Sequence, residues 1–207
     1  MRHDAWLRAL AVCVALAGPS VAFAAAPPAA VAPVAVLNTA MANAEKQGSA
    51  PFPQRYQALA PAVDQTFDLP QILHTIVGLY WSSIPAAQQT TLLAAFRAYT
   101  ICNYAANFDT DSGDTFRILP ESRAVGADQV VETEIVPKSG DPTRLDYVMR
   151  QTAGGWRVID VLEQGTISQA AVQRSDFRSL ISSGDAGRLI DSLTAKVRTL
   201  SGGTITP

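Results

Sequence analysis

The chain offers little that could bind a metal or form a covalent intermediate: two cysteines and two histidines in 207 residues. That excludes a zinc-finger module and a disulfide-dense scaffold. Lysine is scarce, three against thirteen arginines, and no basic run occurs. A protein held to nucleic acid by counterion release is thereby excluded. The P-loop, G-x-G-x-x-G and G-x-S-x-G patterns are all absent, which removes the usual sequence signals for phosphate cradling and for a serine nucleophile. No apolar run approaches the roughly 20 residues of a membrane span. What is present is a chain that is 48% apolar and 16% charged, with net charge −2. That is too apolar for a disordered protein and enough for a sizeable core.

The first residues carry an address. Arg2 and Arg8 give a short positive region, residues 7–17 are apolar apart from Arg8, and Gly18, Pro19 and Ser20 break the run. Ala22-Phe23-Ala24 then places small residues where a signal peptidase reads them, so residues 1–24 are expected to be a cleaved secretory signal, with Ala26 the second choice of cleavage site. Cys13 follows Val12 inside the apolar run and does not fit a lipoprotein cysteine. Cleavage removes two arginines and one aspartate, leaving 14 basic and 17 acidic side chains, a net −3. It leaves one cysteine, Cys102, and one histidine, His74. A lone cysteine closes no intrachain disulfide, so stability is expected from packing alone. The expected location is the periplasm, with no stable membrane anchor.

Residues 25–50 read as an Ala/Pro-rich leader, flexible over 25–35, followed by a short helix over 36–47. Residues 51–201 read as the folded domain and 202–207 as a flexible tail. Tyr56, Leu59, Val63 and Phe67 recur at steps of 3, 4 and 4, one helical stripe. Asp68 is a candidate N-cap with Pro70 in the first turn of the next helix. A longer helix restarts near Pro85 and runs to about Phe108. Then the period changes to two. Residues 116–121, 129–136, 145–151 and 156–163 read as strands joined by hairpin-type turns. In the last, Trp156, Val158, Asp160 and Leu162 are expected on one face. Asp160, turned inward, is expected to pair with an arginine or a backbone N–H. Residues 168–182 and 185–200 return to helix, with Gly184 and Gly202 as stops. The fold class is α+β, helices packed across one curved antiparallel sheet of about four strands.

Candidates for chemistry are weak. His74 lacks a carboxylate motif, and Cys102 sits on a helix stripe as a small core side chain. Asp109, Asp111 and Asp114 surround Ser112-Gly113 but lack the bidentate glutamate of a calcium loop. Arg97, Arg144 and Arg150 are candidate docking residues, each also readable as ordinary surface. No cofactor and no metal is expected. Aromatic residues gather in the helical half and, with Tyr147 and Trp156, in the sheet. They fit either an ordinary core or an apolar cavity between helices and sheet.

Several stretches in order resemble the MlaC family of periplasmic phospholipid-binding proteins, once called toluene-tolerance auxiliary proteins. They are Arg55-x3-Leu59-x7-Phe67-Asp68-Leu69, then Gly78-Leu79-Tyr80-Trp81, then Gln88-x7-Phe96 leading to Tyr104-Ala105. Next come Tyr147-Val148-Met149, Gly155-Trp156-Arg157-Val158-Ile159-Asp160-Val161, Glu163-x-Gly165-x3-Gln169 and Arg174-Ser175-Asp176-Phe177. Gly187-Arg188-Leu189-Ile190-Asp191-x-Leu193 closes the series. Within the family the sequence looks closest to the hopanoid-associated branch called HpnM.

The resemblance implies a strongly bent sheet like that of nuclear transport factor 2, closed by helices over a deep apolar pocket. It implies a lipid carrier, not an enzyme, exchanging phospholipid or a hopanoid between an ATPase-driven inner-membrane complex and an outer-membrane lipoprotein complex. The candidate helical wall is Phe67, Leu73, Val77, Trp81, Phe96 and Tyr99. The candidate sheet wall is Val131, Ile135, Tyr147, Met149, Trp156 and Val158. Two rivals stand beside it. One is an isomerase- or dehydratase-type enzyme of the same fold, using Asp68 or Asp160 with Tyr80 or Tyr147. The other is an interaction module with a filled core.

Overall fold

A computed structural model describes residues 27–108 and 112–207. The signal-peptide expectation, Asp109 and Asp111 lie outside the described residues. The order is α1 (Pro28–Lys46), α2 (Phe52–Thr66), α3 (Leu69–Val77), a 3-10 turn (Gly78–Ser83) and α4 (Ala86–Asn107). There follow β1 (Thr115–Val125), β2 (Asp128–Val136), β3 (Thr143–Thr152), β4 (Gly155–Glu163) and β5 (Ile167–Ser168). The chain ends with α5 (Gln169–Phe177), a single 3-10 turn (Arg178–Leu180) and α6 (Gly187–Leu200). The strands form one antiparallel meander in sequence order, so the α+β expectation holds, with the two-residue β5 added at one edge. The residual free edge of β4 is covered where Phe67 bridges to Val158 and the Asp68 N–H donates to the Val158 carbonyl at 2.9 Å. Covering it blocks strand addition from outside.

The leader expectation is overturned. Residues 25–35 were expected to be flexible, yet α1 begins at Pro28 and runs unbroken through Pro33. Pro28 suits the first helical position, where no N–H is needed, but Pro33 removes an internal hydrogen bond. Tertiary packing overrides that cost. Ala30, Val34, Leu37, Met41 and Ala44, spaced 4, 3, 4 and 3 apart, are all buried in the main core, and α1 touches each of the four long strands. The Thr66 hydroxyl donates to the Pro33 carbonyl at 3.1 Å, tying α2 to α1.

The sheet is bent by two register shifts, one in β1 between Ile118 and Ser122 and one where β3 meets β4 at Val148 and Met149. The second corrects the expected faces of β4. Met149 opposes Val158, but Val148 opposes Asp160, so Ile159 is an extra residue. Past such a bulge the alternation slips by one. Val161, not Asp160 or Leu162, therefore joins Tyr147, Met149 and Val158 on the inner face.

The helices form the second layer. Cys102 lies fully buried in a small cluster with Ala98 and Val197, between α4 and α6. Burial raises its thiol from the ordinary 9.0 to about 11. The folded state holds the neutral thiol while the unfolded chain ionises first, so its contribution is complete below pH 9.0 and is lost as pH rises to about 11. Urea unfolding across that window should show wild type losing more stability with rising pH than Cys102→Ala does. Parallel curves for the two proteins would exclude this effect.

Candidate functional site

A cavity of about 460 Å³ opens between α3 with its following 3-10 turn and α5 with its own. Ile76, Val77 and Ile181, all buried, make an apolar floor. Ala171, Arg174, Ser175 and Arg178 line the opposite wall at spacings i, i+3, i+4 and i+7, one face of α5 and the turn continuing it. Leu79, 94% exposed, and Tyr80, 42% exposed, stand at the lip.

Local chemistry places these walls. The Asp68 side chain accepts the Gln71 N–H at 3.0 Å and starts α3. Gly78 ends it at φ +63, its N–H donating to the His74 carbonyl. This conformation costs a side-chain-bearing residue dearly, and a Cβ there would also lie 3.4 Å from the Arg174 guanidinium. Opposite, Asp160 anchors α5. One carboxylate oxygen accepts the Val161 and Ala170 N–H groups at 2.8 and 3.0 Å, and the other accepts the Ser168 hydroxyl at 2.5 Å. Ser168 in turn caps the helix by accepting the Ala171 N–H at 3.0 Å. The expected backbone partner of Asp160 is there, but no arginine is, and the carboxylate belongs to the outer face of β4 and to the strand–helix corner.

The sequence-derived wall residues gather in the main core. Phe67, Leu73, Val77, Phe96, Val131, Tyr147, Met149 and Val158 are buried in one continuous cluster, with Trp81, Tyr99, Ile135 and Trp156 packed half-buried against it. Val77 is the member that reaches the cavity itself. Tyr99 also faces the α4–α6 cluster, under the Lys196 ammonium at 5.9 Å. At the centre the Phe67 ring meets Tyr104 at 5.8 Å and Tyr147 at 6.5 Å. Burial raises the phenol pKa of Tyr104 and Tyr147, and the Tyr147 hydroxyl has no partner in hydrogen-bonding geometry.

The remaining candidates disperse. His74 is exposed, its ring edge-on to Trp81 at 5.7 Å. Asp114 donates its N–H to Glu45 at 2.7 Å, and no group of potential metal ligands occurs among the described residues. The docking arginines are neutralised within the chain. Arg97 grips Asp64 with two contacts of 2.6 Å, Arg150 grips Asp128 at 2.8 and 2.6 Å, and Arg144 grips Asp146 at 3.0 and 3.1 Å and also pairs with Glu132. For the enzyme reading, Asp160 and Tyr147 lie on opposite faces of the sheet, Asp68 is engaged as a cap, and no carboxylate lines the cavity beside Tyr80. The residues that sequence reasoning missed are Ile76, Leu79, Ala171, Arg174, Ser175, Arg178 and Ile181. For Ala171, Arg174, Ser175 and Arg178 the signal is the stripe along α5 and the turn that continues it, readable once the helix is known.

Comparison with known proteins decides the family. The profile described as MlaC protein matches residues 34–195. The chain belongs to the MlaC family. Its match begins at residue 34, inside α1. Among solved structures, a phospholipid-binding protein from Ralstonia solanacearum, determined in complex with a phospholipid, superposes with a TM-score of 0.72. It is 22% identical in sequence, and the alignment covers 83% of this chain and 98% of that one. At that identity the likeness establishes the fold, and it agrees with the helices-over-curved-sheet architecture of the family member described here. No helix among the described residues is long and apolar enough to cross a membrane.

Proposed function

We propose that the protein is a periplasmic carrier that takes one phospholipid, shields its acyl chains between the inner face of the sheet and the helices, and passes it between membrane complexes. In this reading residues 1–24 direct export. One complex is the ATPase-driven assembly of the inner membrane and the other a lipoprotein assembly of the outer membrane. The observation that carries the reading is the lateral cavity, whose buried lining residues Ile76, Val77 and Ile181 belong to the same core cluster as Tyr147, Met149 and Val158 of the sheet. Family membership and the phospholipid held by the Ralstonia relative support it.

The energetics suit a carrier. Each buried CH₂ is worth about 0.8 kcal/mol, so a dozen methylenes supply roughly 10 kcal/mol. The cavity volume, about 460 Å³, lies within the range of small-ligand sites and suits a headgroup with the start of a chain. Two full chains require α3 and α5 to part from the sheet, admitting them among Leu73, Tyr147, Met149 and Val158. A pocket that forms by separation of layers binds and releases through the same motion.

The test is a cargo analysis. Protein secreted to the periplasm and purified without detergent is extracted with organic solvent, and its lipids are identified by mass spectrometry. About one phospholipid per chain is expected. A hopanoid at the same stoichiometry would keep the carrier and change its cargo. Folded protein that neither holds lipid nor accepts it from vesicles would overturn the carrier reading in favour of an enzyme or an interaction module.

A further inference from the structure

Arg174 and Arg178 differ from the ion-paired arginines of the molecule in what surrounds them. Arg97, Arg117, Arg123, Arg144 and Arg150 are each paired with a carboxylate. Arg174 and Arg178 line a cavity whose other lining residues include no carboxylate, and neither makes an ion pair among the described residues. The exposed Arg174 guanidinium lies beside Gly78, where an added Cβ would stand 3.4 Å from it. Ile76, Val77 and Ile181 line the same cavity. Two unspent guanidinium groups above an apolar floor match one kind of molecule, an amphiphile whose anionic group sits next to its hydrocarbon.

We propose that this cavity seats the headgroup of an acidic phospholipid, with the phosphate diester bridged by Arg174 and Arg178 and the acyl chains entering over Ile76, Val77 and Ile181. The inference deepens the carrier reading and rests on it. Guanidinium binds phosphate through two parallel charge-assisted hydrogen bonds. Nothing lining the cavity pairs with an ammonium group, so a net-negative headgroup is preferred over a zwitterionic one. Selectivity then comes from the rim and affinity from the chains, since an apolar wall distinguishes one hydrocarbon body from another only weakly.

Lipid-free protein is incubated with vesicles of phosphatidylglycerol, phosphatidylethanolamine or diacylglycerol, reisolated, and its bound lipid counted. Wild type should favour phosphatidylglycerol over phosphatidylethanolamine by roughly tenfold or more, the scale of a charge-assisted contact. The double variant R174Q/R178Q should lose that preference while loading diacylglycerol as wild type does. R188Q/R198Q removes the same charge from exposed positions on α6 and should keep the preference, which separates the site from net charge. Glycerophosphoglycerol or inorganic phosphate, lacking chains, should fail to displace the loaded lipid. Displacement by either would make this a free-anion site and overturn the proposal. Equal uptake of the two phospholipids by wild type, or an unchanged preference in R174Q/R178Q, would overturn it while leaving the carrier intact. Wild type that takes up none of the three lipids would overturn the carrier reading instead.

Discussion

A chain beginning at residue 51 is expected not to fold, although the segment it lacks reads as an Ala/Pro leader and a short helix. Without α1 the inner face of the sheet loses its cover over all four long strands, and five buried side chains leave the core. Leu37 and Met41 are the largest fully buried side chains of these. Replacing a buried leucine by alanine costs about 3 kcal/mol, a large part of the stability of an ordinary domain. Losing the whole stripe exceeds that stability. A second loss follows at the end of the helix. Glu45 is 2% exposed and accepts the Ser112 hydroxyl at 2.9 Å and the Asp114 N–H at 2.7 Å, holding the entry to β1. Circular dichroism of the truncated chain should show no cooperative unfolding, and Leu37→Ala in the full chain should lower urea stability by about 3 kcal/mol. A truncated protein that unfolds cooperatively like the intact one would restore the leader interpretation.

Why α1 was hidden while α3 was not is a matter of which forces announce themselves locally. Asp68 with Pro70 two residues later is a cap that acts within one turn, and the structure uses it as read. In α1 the local signals oppose the outcome: Pro27, Pro28 and Pro33 mark an extended tract, and its helix is imposed from outside by the sheet. The contrary signal was the 4-3-4-3 stripe from Ala30 to Ala44, carried partly by alanines that a count of large apolar residues passes over. The strands were legible because alternation is a local property. The faces of β4 were not, because Ile159 becomes an extra residue only through its pairing with β3. That single shift moved Asp160 from an expected inner wall to the corner that starts α5. The site shows the same division. The aromatic and aliphatic residues of the core could be named from pattern and resemblance, whereas the cavity depends on how close α3 and α5 lie.

Arg55→Met is expected to cost roughly 3 kcal/mol, more than any exposed charge change on this surface. Arg55 is an arginine only 9% exposed, and no carboxylate among the described residues pairs with it. Its guanidinium instead donates to three backbone carbonyls, to Ala105 at 3.2 Å, to Gly48 at 3.0 Å and to Ala50 at 2.6 Å. Those carbonyls belong to the last turn of α4 and to the link between α1 and α2, so one side chain fastens three helices at the same end of the layer. Stacking on the Phe52 ring at 5.4 Å fixes the plane of the fork. Methionine keeps the length of the stem and removes every donor, which isolates the hydrogen bonds from the packing. Lysine restores the charge but not the fork, and recovers at most part of the loss. Urea unfolding of the two variants reads this directly. A loss below about 1 kcal/mol for Arg55→Met would mean that water satisfies the three carbonyls equally well. A lysine variant matching wild type would show that charge, and not planar geometry, closes this end of the helical layer.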